Sequence, residues 1–257
     1  MEIIEHPAKM VVKNSKNNLD KQLSPKMAEE LPNYNGFCWV LVGSSGSGKT
    51  TLLYSLMKTG IKKGLQQGYK NIFDKIYVVS PTIGNDSIKD DPFKKLPSNQ
   101  MYKELTADSI DEIQKNLESN RKDNKNSLLI LDDVGSELKK SKNIEKKLIS
   151  LIQNRRHLYT SIIILLQKFK DAPTGIRNNM SHFISFRPKN NIEQDSIISE
   201  MFKFSKEEVD DLFNYIYDAK HDFLYVDLSL QKSGQYIFYK NFNRLELTKN
   251  KNKKNLI

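Results

Sequence analysis

The sequence predicts an α/β fold with a mostly parallel central sheet, and three observations carry that expectation. Short continuous apolar runs alternate with stretches whose apolar residues recur at helical spacing. One run opens directly into Gly43-Ser44-Ser45-Gly46-Ser47-Gly48-Lys49-Thr50, which completes the phosphate-loop pattern G-x-x-x-x-G-K-[ST]. Another ends in Asp132-Asp133, so the chemistry-bearing residues fall where strands end at their carboxyl side.

Taken in order, residues 1–35 form a polar arm punctuated by Pro7, Pro25 and Pro32. A single ATPase domain is expected over 36–242, followed by a basic tail over 243–257. The first strand is 37–42, a continuous apolar run as a strand buried on both faces requires. Cys38, the only cysteine, lies in it as a small buried hydrophobe and suits a reducing compartment. Leu52, Leu53, Leu56 and Met57 then mark a helix. Residues 75–80 read as a second strand stopped by Pro81, and 109–117 as a charged helical stretch that ends in the polar run 119–126. Residues 128–131 form the third strand, and Ile144, Leu148, Leu151, Ile152 and Arg155 share one face of a helix over 142–158. Strands at 162–166 and 182–186 follow, then a helix over 192–202. Ser205-Lys206-Glu207-Glu208 is a capping box that opens a helix to about residue 217. Residues 223–228 and 235–239, with Ser233-Gly234 between them, read as a C-terminal β-hairpin.

The phosphate loop needs its residue types. Gly43, Gly46 and Gly48 let the backbone curl, so that the N–H groups of Ser44, Ser45, Ser47 and their neighbours turn inward at phosphate oxygens. Lys49 places a point charge on the β- and γ-phosphates, the hydroxyl of Thr50 ligates Mg²⁺, and Thr51 completes the loop at the helix start. A Gly/Ser-rich linker is the bland alternative, and the strand before and helix after argue against it. A second half-site, a carboxylate on a strand neighbouring the loop strand, must hold the metal. Asp132 takes that role, directly or through water, and Asp133 orients or deprotonates the attacking water. Asp132-Asp133-Val134-Gly135 also fits D-x-x-G, but no guanine-reading Asn-Lys-x-Asp follows a later strand, so ATP is favoured over GTP. Gln167 ends the 162–166 strand, where a polar side chain senses the γ-phosphate or holds water. Arg155 and Arg156 precede that strand, and adjacent arginines point to different faces. One is therefore expected to stabilise the transferring phosphoryl group and the other to be structural, with Arg177 a third candidate.

This series is similar to the genome-packaging ATPases of poxviruses, giant viruses and virophages, within the FtsK–HerA class. The similarity lies in residues 43–50, 128–133, 154–158, 162–167 and 174–181 and covers roughly 36–242. It implies a RecA-like core with ATP and Mg²⁺ as cofactors. Its expected partners are double-stranded DNA, copies of itself in a ring (a hexamer being the usual form), and a capsid or portal vertex. It also implies action in the host cell at the site of virion assembly. By the resemblance Lys49, Thr50, Asp132, Asp133 and Gln167 keep the roles above, and Arg155 or Arg156 reaches a neighbouring subunit. Many members carry Glu where this chain has Asp133.

Bulk properties limit the alternatives. The net charge of +10 includes a neutral arm, with five Lys against five acids over 1–36, and a basic tail, the last eighteen residues holding Lys240, Arg244, Lys249, Lys251, Lys253 and Lys254 against Glu246 alone. Such a tail suits phosphate backbones, or is simply a solvated terminus. No apolar run of about 18 residues offers a membrane span. The start of the chain lacks the basic and apolar regions of a secretory signal. One cysteine and four scattered histidines provide no zinc spacing. The competing functions are a helicase or pump of the same fold with another task, a P-loop small-molecule kinase using its arginines in cis, and a non-catalytic nucleotide-binding module.

Overall fold

The computed structural model describes residues 21–82, 90–202, 205–229 and 236–246. The first half holds β1 (Cys38–Val42), α1 (Lys49–Lys58), a ribbon of β2 (Ile61–Lys62) and β3 (Leu65–Gln66), β4 (Lys75–Val79), β5 (Met101–Tyr102) and α2 (Ala107–Lys122). Next come β6 (Ser127–Asp132), α3 (Gly135–Lys140), α4 (Lys142–Asn154), β7 (Thr160–Leu166), α5 (Thr174–Arg177) and β8 (His182–Phe186). The chain closes with α6 (Asn191–Met201), α7 (Lys206–Ile216), β9 (Phe223–Asp227), β10 (Ile237–Lys240) and β11 (Asn243–Leu245).

One nine-stranded sheet runs β11-β10-β9-β8-β1-β7-β6-β4-β5. From β5 to β8 every pairing is parallel, and β9, β10 and β11 add antiparallel strands at one side. All five residues of β1 and all seven of β7 are buried, which is why both read as unbroken apolar runs rather than alternations. Odd and even positions feed two cores. One face packs Cys38, Val40, Leu129, Ile162 and Ile164 under α2, α4, α6 and α7. The other packs Trp39, Leu41, Ile130 and Ile163 under α1, with Met27 and Leu31 of the arm.

The strand order corrects one expectation. The carboxylate strand β6 is not the direct neighbour of the loop strand β1; β7 lies between them, paired with both. This places the end of β7 between the two halves of the site. The arm is not a separate appendage over its described part: Met27 and Leu31 are buried, and Met27 bridges to Gln66. Residues 1–20 lie outside the described residues. Helix α2 is longer than expected because Thr106 and Ser109 cap it reciprocally, and it runs on to Lys122 through the polar stretch. Helix α4 stops at Asn154, four residues early, and Tyr159 takes a left-handed φ of 50° to turn the chain into β7. The hairpin is present as β9–β10, with its Ser233-Gly234 connection outside the described residues. Residues 243–245, assigned to the tail, instead form β11, and the lysines at 249, 251, 253 and 254 lie outside the described residues.

Candidate functional site

The phosphate loop leaves β1 at the sheet's carboxyl edge and is tied there at once: Gly43 N–H donates to Leu166 O at the end of β7 (3.2 Å). Within the loop Ser47 N–H donates to Ser44 O (3.1 Å), and Gly48, at φ 112°, sits at the N-cap of α1. No L-residue takes that φ without strain, so the glycine is required by the turn itself. Gly43 is required by space, since a Cβ there would lie 2.6 Å from Ser47 Oγ and 2.9 Å from Phe186 Cβ. Lys49 Nζ donates to Gly43 O (2.6 Å) and Ser44 O (3.1 Å). Burial lowers the Lys49 pKa from its usual value, and the carboxylates of Asp132 and Asp133 oppose that shift. Thr50 is half-buried and Thr51 exposed in the first turn of α1.

Asp132 ends β6 and accepts a hydrogen bond from Ser80 Oγ to its Oδ2 (3.1 Å). Burial raises its pKa, the Ser80 bond works against the shift, and the Asp133 charge adds to it. A cavity of about 20 Å³, room for one water, is lined by Tyr54, Ser80, Thr82 and Asp132 among others. Asp133 follows in the left-handed region (φ 56°), held by its N–H on Leu165 O (3.1 Å). A non-glycine residue in that conformation costs of order 1–3 kcal/mol and persists where the surroundings enforce it. Here it aims the carboxylate at Gln167, whose Nε2 donates to both oxygens at 2.9 and 3.1 Å. Hence Gln167 on the intervening strand and Asp133 act as a pair at the mouth of the loop.

The donor set fits Mg²⁺. The Thr50 hydroxyl and the Asp132 carboxylate are hard oxygen ligands, and a small, one-carboxylate set leaves positions for water and phosphate oxygens, as this ion prefers. Among the described residues no cluster of three His, Cys, Asp or Glu side chains offers a fuller metal cage.

The arginines separate. Arg155 is only 8% exposed; its Nε donates to Gly36 O and its Nη1 to Ile152 O, both at 2.8 Å. Burial lowers its pKa. This corrects its candidacy as a phosphoryl-stabilising finger: a guanidinium spent on two buried carbonyls has no reach. Gly36 precedes β1 whereas the loop follows it, so this arginine lies at the sheet's amino edge, roughly 20 Å from its own phosphate loop. Arg156 shares that edge against Gly36 but is exposed. Arg177 is engaged by Glu200 (2.8 Å), by Ala172 O and by Thr174 Oγ1 (3.3 Å).

Two further residues reach the site. Ser80 closes the second strand, and a hydroxyl one residue before a proline carries no signal of its own in the sequence. His221 approaches from the turn between α7 and β9, its Nδ1 3.0 Å from Ser47 O, and nothing links residues 174 positions apart before the chain folds.

Comparison with known proteins bears on the family and the fold. A family model described as Poxvirus A32 protein matches residues 27–257. The DNA packaging protein OPG160 of Vaccinia virus (strain Copenhagen) is 32% identical over 203 residues, covering 78% of this chain and 70% of that protein. Among solved structures, the DNA-packaging ATPase B204 from Sulfolobus Turreted Icosahedral Virus superposes with a TM-score of 0.55 at 16% identity, over 80% of this chain and 98% of that one. The genome packaging NTPase B204 from Sulfolobus turreted icosahedral virus 2, in complex with ATP-gammaS, gives a TM-score of 0.51 at 17% identity, over 80% and 97%. At such identities the likeness speaks for the fold.

Proposed function

The chain belongs to the Poxvirus A32 protein family, and from that premise we propose that it is an ATP-driven motor of the FtsK–HerA class, translocating double-stranded viral DNA into a preformed capsid. The observation that carries the hydrolytic part is the Gln167–Asp133 pair held beside a complete phosphate loop. A protein that bound nucleotide only to assemble would have no need of a strained carboxylate aimed at that point.

The roles follow from position. Loop N–H groups not already bonded within the protein, as those of Gly43 and Ser47 are, cradle the phosphates, and Lys49 exchanges its loop carbonyls for phosphate oxygens when nucleotide enters. Thr50 and Asp132 hold Mg²⁺, with Ser80 fixing the rotamer of Asp132. The ion supplies charge neutralisation on the β- and γ-phosphates. Asp133 accepts a proton from, or orients, the water aimed at the γ-phosphate, while Gln167 fixes the direction of its carboxylate. The aspartate is one methylene shorter than the glutamate frequent in this class, and Gln167 compensates by holding both oxygens. Arg156 is the finger for a neighbouring subunit's site, because it is exposed on the edge remote from its own loop, so sites complete only in a ring. Capsid or portal attachment and action at the site of assembly in the infected cell complete the proposal. No helix among the described residues is long and apolar enough to cross a membrane.

The test is the steady-state ATPase rate with and without long duplex DNA, with Lys49→Ala as blank. Stimulation by duplex that fades with added salt is expected of a translocase gripping phosphates. Robust hydrolysis indifferent to DNA, by a monomer, would overturn the motor and favour a kinase-like enzyme.

A further inference from the structure

The loop that cradles the phosphates is not held by its own residues alone. His221 Nδ1 lies 3.0 Å from Ser47 O. A carbonyl only accepts, so the proton is on Nδ1. The Ser47–Gly48 peptide is trans and planar, which forces its C=O and its N–H to point in opposite directions. Fixing the carbonyl on the imidazole therefore fixes the Gly48 N–H to the opposite side, where a phosphate oxygen of bound nucleotide would sit. The contact is close packing as well as a hydrogen bond: a Cβ on Gly48 would stand 3.5 Å from Nδ1 and 3.3 Å from Phe186 Cε1.

The turn that presents the imidazole is itself held by hydrogen bonds. Asp222 accepts from Ala219 N–H (2.9 Å) and from Asn241 Nδ2 (3.0 Å), with Lys240 Nζ 3.5 Å away. Asn241 in turn exchanges bonds with Phe223, its N–H donating to Phe223 O (2.8 Å) and its Oδ1 accepting from Phe223 N–H (3.0 Å). Lys240 Nζ also donates to Tyr215 O (2.9 Å). The turn is thus stapled to β10, and through His221 the antiparallel C-terminal strands hold the phosphate loop.

We propose that His221 is a positioning residue for bound nucleotide, orienting the Gly48 N–H toward the phosphates through the Ser47 carbonyl. The proposal rests on the nucleotide-binding part of the function proposed above. Because Gly48 N–H faces a phosphate present in both ATP and ADP, His221 governs affinity for both and leaves the chemical step largely alone.

The experiment measures Kd for a fluorescent ADP analogue and the KM and kcat for ATP in the full chain, for wild type, His221→Ala and His221→Asn. Melting temperatures verify that each variant is folded. One neutral hydrogen bond corresponds to about 3- to 10-fold, so His221→Ala should raise both Kd and KM by that factor with kcat within about 2-fold. Asn carries Nδ2 near the position of Nδ1 and should restore most of the affinity, which a purely space-filling role would not predict. Unchanged Kd in folded His221→Ala, or a loss confined to kcat, overturns the proposal while the ATPase reading stands. Failure of wild type itself to bind nucleotide overturns both.

Discussion

Replacing each of the adjacent arginines by alanine should give two opposite phenotypes. Arg155 is 8% exposed and donates to Gly36 O and Ile152 O at 2.8 Å. Arg155→Ala strips both carbonyls of a charged donor. Ile152 O keeps a long backbone bond from Arg155 N–H (3.4 Å), so the main loss is at Gly36 O. One orphaned buried carbonyl, a weakened second and a small void together cost about 3 kcal/mol. For a domain of this size that lowers the melting temperature by roughly 6–12 °C. Arg156 is exposed, so Arg156→Ala should melt within about 2 °C of wild type. Its effect belongs on turnover: as a finger acting in trans, its removal should slow DNA-stimulated hydrolysis by roughly 10³-fold or more. Thermal unfolding without nucleotide, beside ATPase rates at matched concentration, reads both quantities. If Arg155→Ala melts like wild type yet loses the rate, or Arg156→Ala keeps full activity, the assignment made from burial is wrong.

Three other outcomes follow from the site and the core. Gln167→Leu, which cannot hold the Asp133 carboxylate, should lower kcat by about 10- to 100-fold with KM for ATP little changed; a raised KM with kcat unchanged would mean that the glutamine binds nucleotide instead. Ser80→Ala frees Asp132 and should raise the Mg²⁺ concentration needed for half-maximal activity several-fold, read by a magnesium titration at fixed ATP; an unshifted midpoint would remove Ser80 from the site. His182 is buried, with Asp227 3.5 Å from its Nε2 and the Tyr34, Trp39 and Tyr225 rings around it. Burial lowers its pKa to about 4. The folded state therefore resists a proton that the unfolded chain accepts from about pH 6.5, so stability is full above that pH and falls as pH drops toward 4. Urea unfolding should register a loss on the order of 2–4 kcal/mol across that window, and His182→Asn should flatten it. A wild-type profile already flat there would mean that the imidazole is protonated in the fold.

How much was legible in the sequence divides along physical lines. The phosphate loop, Asp132, Asp133 and Gln167 were readable because each lies at the end of an unbroken apolar run, and burial on both faces makes such runs stand out in β1, β6 and β7. Strand order was not readable. Nothing in residues 128–133 announces that β7 will intervene between them and β1, since register is set by helices packing on both faces. The two-residue β5 and three-residue β11 are too short to carry a period. The arginines were ambiguous because neighbouring residues point apart whichever one is buried, and only the position of Gly36 O decides. His221 was invisible for another reason: its role exists only through a backbone carbonyl, which every residue possesses.

The two shortest strands of the nine-stranded sheet are also its outermost ones. Among the described residues the sheet is bounded by Met101–Tyr102 on one side and Asn243–Leu245 on the other, which offers a neighbouring copy hardly any main-chain ladder to extend. In the ring proposed above, copies would then meet through side chains and loops rather than by adding strand to strand. Contacts of that sort can slide, part and re-form within a catalytic cycle, whereas a continuous ladder across a joint would weld the assembly into one rigid body. Blunt sheet margins would thus leave the seams of the proposed ring free to work as moving joints.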